Sequence, residues 1–177
     1  MYASCETMQL NTFQKHAAQG DDAWIAAQDV NCEKASDVCG QLHLVKGNAC
    51  FRLAKAGTAP ADNYTCAADE LAQGLALKQS WKDPAAHRRF QEYLCESLSN
   101  LQDLQAGATD EKTLVRLTNA AEALHRIAPG SVPAIYYLAM ARLRQVQPLL
   151  ADMSAADRLP VCNRLKRTLT GVLSMMQ

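Results

Sequence analysis

Long apolar runs are missing from this chain. No stretch approaches the roughly 18 to 20 apolar residues that a bilayer span needs, and residues 1–20 hold no continuous apolar core of a secretory leader. Aromatic residues make up only 6% and do not interleave with the basic clusters, which argues against stacking on nucleic-acid bases. Net charge is also absent, with 18 basic and 18 acidic residues, so there is no overall pull toward a polyanion. The 8 glycines form no phosphate-cradling loop. GxSxG and HExxH are missing, as is a convincing pair of catalytic carboxylates. These absences predict a protein without catalytic residues, without a cofactor and without a nucleic-acid partner.

What is present is material for a core. Hydrophobic residues form 49% of 177, enough to bury an interior and to exclude intrinsic disorder, at a length that fits one domain. Charge is uneven along the chain: residues 1–109 carry 9 basic and 13 acidic residues, a net of −4, and residues 110–177 carry 9 and 5, a net of +4. The asymmetry either gives a partner surface its polarity or is a chance of surface composition.

Alanine and leucine abound and no strand-like alternation occurs, so the chain reads as all-α. Punctuation predicts helices near 9–18, 22–30, 37–56, 63–78, 84–106, 110–128, 132–150 and 155–175, with residues 1–8 as a tail and 9–177 as a single domain. Gly20-Asp21-Asp22 ends one helix and caps the next, and Ser36 and Ser154 are N-cap candidates. Gly107 closes a long helix before a start at Thr109 or Asp110. Pro84 and Pro133 suit first turns, and Pro148 is expected to kink or stop its helix. The 110–128 segment places Leu114, Leu117, Ala121, Leu124 and Ala128 on one face. The 132–150 segment is apolar on more than one side, as a helix between neighbours would be.

Seven cysteines stand at 5, 32, 39, 50, 66, 95 and 162, a density normal for an oxidising compartment. No CxxC pair occurs and the four histidines, His16, His43, His87 and His125, are scattered singly, so a metal site is not expected. Six cysteines allow fifteen connectivities, among which sequence cannot choose. The helical layout favours Cys32–Cys39 across a turn, Cys50–Cys66 across a hairpin and Cys95–Cys162 between distant helices. Cys39 and Cys50, eleven apart, share a stripe of one helix and cannot bridge each other.

Cys5 is left over. Ala3-Ser4-Cys5 resembles the end of a bacterial lipobox, in which small residues precede the cysteine that is lipidated. That resemblance implies an envelope lipoprotein anchored at Cys5. The alternative is a cysteine that pairs within the fold or stays a free thiol in a frayed tail.

Three segments look related: FQKHAAQGDDAWIAA (13–27), GNACFRLAKAG with CAADELAQGLAL (47–57 and 66–77), and AAEALHRIAPGSVPAIYYLAMARL (120–143). They resemble tetratricopeptide repeats, where small residues let the two helices of a hairpin approach closely. Ala49, Leu53 and Gly57 match the first helix of that pattern, and Ala67, Leu71 and Leu75 the second. Ala123-Leu124 with Pro129, then Tyr137-Leu138-Ala139, is the stretch most similar to the family. The 34-residue period is broken by the 57–63 insertion and the long 84–106 helix, and Trp24 and Trp81 fall outside the family's slot. The resemblance implies a short α-solenoid, here stapled by disulfides, with an extended surface for another protein.

Candidate binding residues follow. Tyr136 and Tyr137, with Met140 a turn on, either line a groove that grips a partner or belong to the core. His87, Arg88 and Arg89 beside Lys82, and Arg164, Lys166 and Arg167, either hold a carboxylate or phosphate or are solvated helix faces. Asn63-Tyr64-Thr65 matches a glycosylation sequon that a bacterial chain would leave unused. The expected function is non-enzymatic protein–protein interaction in the bacterial periplasm, as a scaffold or assembly factor of an envelope complex. Two alternatives are an immunity protein that neutralises a periplasm-targeted toxin and a small-molecule carrier with a cavity between helices. A membrane is a partner only through a lipid on Cys5.

Overall fold

The structure is a computed structural model that describes residues 5–104, 110–151 and 153–174. Ala3, Ser4, Gly107, Thr109 and position 175 lie outside the described residues. Within them the chain is all-helical, with eight helices and no strand: α1 (Cys5–Ala18), α2 (Asp22–Ala27), α3 (Asp37–Lys55), α4 (Pro60–Leu77), α5 (Pro84–Leu104), α6 (Glu111–Ile127), α7 (Val132–Ala151) and α8 (Ala155–Ser174).

The punctuation acts as expected, and its chemistry is visible. Asp21 accepts from the Trp24 N–H, and Ser36 Oγ from the Cys39 N–H at 3.0 Å. Asp110 accepts from the N–H groups of Lys112 and Thr113, and Ser154 from that of Asp157. Each supplies an oxygen to a helix-start donor that has no partner inside the helix. Three boundaries differ. Helix α1 begins at Cys5, inside the stretch read as a tail, with Glu6 in its first turn where a carboxylate complements the helix dipole. Helix α2 ends at Ala27 because Gln28 is extended. Helix α4 starts at Pro60, whose fixed φ suits a first helical position, after Ala59 turns into left-handed space at φ 35°. Pro148, expected to kink or stop its helix, lies inside α7, which ends close to the expected position at Ala151.

Helices α1 to α5 belong to one compact unit, and α6 to α8 to another. In the first, α3 and α4 form an antiparallel hairpin whose axes approach closely. Glycines make this possible. A Cβ on Gly47 would stand 2.8 Å from Leu71 Cγ, one on Gly74 would stand 2.7 Å from Leu44 Cγ, and one on Gly40 would stand 2.8 Å from the Lys78 backbone nitrogen. Each lies inside van der Waals contact, so α3 and α4 could not close to this distance with larger residues. Gly57, matched above to the first helix of the repeat, instead turns the chain after α3 at φ +82°, with nothing within 4 Å of where a Cβ would stand.

The Cys50–Cys66 disulfide ties the same hairpin, and Cys32–Cys39 ties the start of α3 to the loop before it. The expected Cys95–Cys162 bridge is not formed. Cys95 is a fully buried free thiol on α5 and Cys162 an exposed free thiol on α8. Cys95 faces inward with Leu94, Leu98 and Leu101 on the apolar side of α5, where it packs as a small hydrophobe.

Phe13, Ile25, Leu42 and Ala49 make a core shared by α1, α2 and α3, with Leu10, Trp24 and Val45 against it. An aromatic file continues onto α5: Tyr93 stacks on Phe51 at 4.5 Å, and Phe51 meets Tyr64 edge-on. Burying side chains of this size contributes about 1.5–3 kcal/mol each. In the second unit, α6 and α7 form a hairpin about the 129–131 turn. Leu117, Ala121 and Leu124 of α6 are buried, as are Ala134 and Ala141 of α7. Thr118 accepts a hydrogen bond from Gln145 across the pair at 3.1 Å.

Candidate functional site

The start of α3 assembles a polar, sulfur-containing cluster inside the first unit. Cys39 and His43 are one turn apart on the same face of α3, and the loop from 31 to 36 folds Cys32 back against them. Glu6 of α1 holds that loop. Its carboxylate is buried and accepts from the Glu33 N–H at 2.9 Å and from Ser36 Oγ at 3.3 Å. The sulfurs of Cys32 and Cys39 and a ring nitrogen of His43 lie within 4.8 Å of one another.

Behind His43 stands Glu70 of α4. His43 Nδ1 is 2.6 Å from Glu70 Oε2, and Lys46 Nζ is 2.9 Å from Oε1. All three side chains are largely shielded, between 12% and 16% exposed. Burial pushes the Glu70 carboxyl up. The hydrogen bonds and charges of His43 and Lys46 outweigh that, so it is held below the usual carboxylate range. An ionised carboxylate only accepts, so the bridging proton sits on His43 Nδ1.

The residues singled out by sequence fall in both units. On α5, His87 stacks on Trp81 at 4.4 Å, and burial lowers its pKa. Arg88 pairs with Glu92 one turn on at 3.4 Å, while Arg89 is exposed. The densest basic run is thus divided between a stacked imidazole, an intrahelical ion pair and solvent. Arg164, Lys166 and Arg167 are exposed on α8. Asn63 of the sequon sits in the first turn of α4, its amide donating to the Thr58 carbonyl at 2.7 Å, and Tyr64 beside it is buried. Cys5 is an exposed free thiol at the start of α1.

On α7 the tyrosines diverge. Tyr136 is 46% exposed, whereas Tyr137 and Met140 are half-buried, and the two rings meet edge-on at 5.2 Å. Val132, one turn before Tyr136, is 42% exposed. With Ala134 and Ala141 inward, helical geometry carries Val132 and Tyr136 to the opposite side. At the other end of this hairpin an open cleft of about 350 Å³ is lined by Leu114, Val115 and Pro148 with Glu111, Arg144 and Gln145.

Sequence reasoning missed His43, Lys46, Glu70 and Glu6. Cys39 and His43 carried a signal in their spacing of four on a predicted helix. Glu70 and Glu6 carried none, because they reach the cluster through contacts between helices. Comparison with known protein-family models, with curated proteins and with solved structures returns no match in any of the three.

Proposed function

We propose that this chain is a non-enzymatic protein-binding module of the bacterial periplasm, a scaffold or assembly factor built as a short tetratricopeptide-like stack of helical hairpins. The observation that carries this reading is the outer face of α7, where Val132 and Tyr136 stand one turn apart with nearly half their surfaces in water. Tyrosine on an apolar exposed stripe is the type of anchor that dominates binding energy at protein interfaces. The two disulfides support the oxidising compartment. They also hold the first unit rigid, so less entropy is lost when a partner docks. The exposed Cys5 is accessible to lipid attachment, which would anchor the module to a membrane.

A photo-crosslinking amino acid placed at Tyr136 tests the reading in periplasm-expressing cells. It is expected to capture one discrete protein that the same residue at exposed Gln14 does not capture. With that partner purified, Tyr136→Ala should weaken binding by about 2 kcal/mol, roughly thirtyfold. Identical adducts at both positions, or none at Tyr136, would reject it.

A further inference from the structure

We propose that reduction of the Cys32–Cys39 disulfide converts the start of α3 into a zinc site, with Cys32, Cys39 and His43 as ligands. The site lies in the first unit and does not depend on the α7 binding reading. Its cysteine pair escapes the usual close-ligand spacing because Cys32 and Cys39 are seven apart. The loop held by Glu6 closes that gap, bringing both sulfurs and the imidazole within 4.8 Å.

Four features of the cluster suit a thiophilic divalent ion. Cys39 and His43, at i and i+4, present ligands from one helix face as a chelating pair. Glu70 accepts the hydrogen bond from His43 Nδ1–H at 2.6 Å and so leaves the Nε2 lone pair for a metal, the carboxylate–histidine arrangement that orients imidazole ligands. Lys46 in turn fixes Glu70 at 2.9 Å. Cys39 sits in the first turn of α3, where the helix dipole favours a thiolate.

Geometry sets the required movement. Zinc sits about 2.3 Å from thiolate sulfur and about 2.0 Å from imidazole nitrogen, so its ligand atoms stand about 3.3–3.8 Å apart. Bonded to each other, the two sulfurs offer a metal no thiolate, and the oxidised chain is closed to it. A dithiol reductant supplies two electrons and two protons, breaking the Cys32–Cys39 bond and leaving as its own disulfide. Two thiols result, and each gives its proton to solvent as zinc binds. Cys32, in a loop rather than a helix, is the ligand free to swing outward. Three protein ligands leave a fourth position for water or for a group from another molecule.

The test uses the full chain, reduced anaerobically, freed of reductant and titrated with Co²⁺ as an optical stand-in for Zn²⁺. The expected result is thiolate-to-cobalt charge-transfer absorption that saturates at one ion per chain, is bleached by Zn²⁺, and is absent from the oxidised protein. Cys32→Ser should abolish it, and His43→Ala and Glu70→Gln should each weaken Co²⁺ binding roughly 10- to 100-fold. A chain carrying Cys50→Ser and Cys66→Ser should bind as the wild type does. Thermal melting read by circular dichroism gives a second arm. Zn²⁺ should raise the midpoint of the reduced wild type and not that of Cys32→Ser, and should restore helix if reduction has melted it. No charge-transfer band, binding indifferent to Cys32→Ser and His43→Ala, or no effect of Zn²⁺ on the melt would overturn the assignment.

Discussion

At Glu70 two effects oppose each other. Burial disfavours the carboxylate, while His43 and Lys46 favour it, and the cationic side wins. The folded pKa therefore lies below the unfolded one, and the carboxylate contributes stability above the ordinary glutamate pKa. That contribution is lost as pH falls through the lower, folded value. Glu70→Gln should flatten the acid limb of a stability-versus-pH curve measured by urea unfolding, and an unchanged limb would refute this. Cys95 has the opposite fate. Burial, helped by the negative charge of Glu92, pushes its thiol up to about 12, so almost none is thiolate at neutral pH. Iodoacetamide should label Cys5 and Cys162 in the native chain, with a third label appearing only on unfolding. A third label acquired as fast as the first two, read by intact mass, would contradict the buried placement.

For the helices as elements, the α3/α4 hairpin is the decisive contact. Alanine at position 47 would press its methyl onto Leu71, including the Leu71 backbone nitrogen at 2.9 Å, which cannot rotate away. Overpacking costs about 1–3 kcal/mol and the better helix propensity of alanine returns up to about 1. Gly47→Ala should therefore destabilise the protein by about 1–2 kcal/mol. Gly130→Ala, with nothing within 4 Å of its α-carbon substituent, should be close to neutral by the same urea titration. Equal effects would mean that the close approach is not what these glycines serve. The Cys50–Cys66 bridge acts on the same hairpin by limiting the unfolded chain. Its loop of 16 residues corresponds to about 3 kcal/mol in the chain-entropy picture. Replacing both cysteines with serine should lower stability by about that amount.

The molecule as a whole divides into α1–α5 and α6–α8. The first unit holds both disulfides, the Phe13–Ile25–Leu42–Ala49 core and the Glu70 cluster. It contains what an independent domain needs, an interior of its own and its own cross-links. A chain ending at Leu104 is expected to form both disulfides, remain helical and melt cooperatively. A non-cooperative melt would show that its core is completed by later residues. The second unit carries the α7 face, so losing partner capture while keeping this fold would separate binding from stability.

Helix positions were legible because they depend on local chemistry. An aspartate or serine that caps, a proline at a first turn and an apolar stripe every three or four residues all act within one turn of the chain. The two formed disulfides were legible for a related reason: each closes a short segment, 7 and 16 residues, across a turn that the same punctuation marks. The expected Cys95–Cys162 bridge is not formed because it spans distant helices, and no local rule says which helices bring their cysteines together. For the same reason Gly40, Gly47 and Gly74 read as ordinary helix residues until α4 was laid against α3, and Glu70 as an ordinary surface acid. By itself the sequence determined where the helices lie, and it set the cysteines of the two formed disulfides close together along the chain. How those helices cross, and hence which side chains meet at His43 and which face of α7 remains in water, was decided only by tertiary packing, because it depends on side-chain volumes summed across helices that sequence proximity does not link.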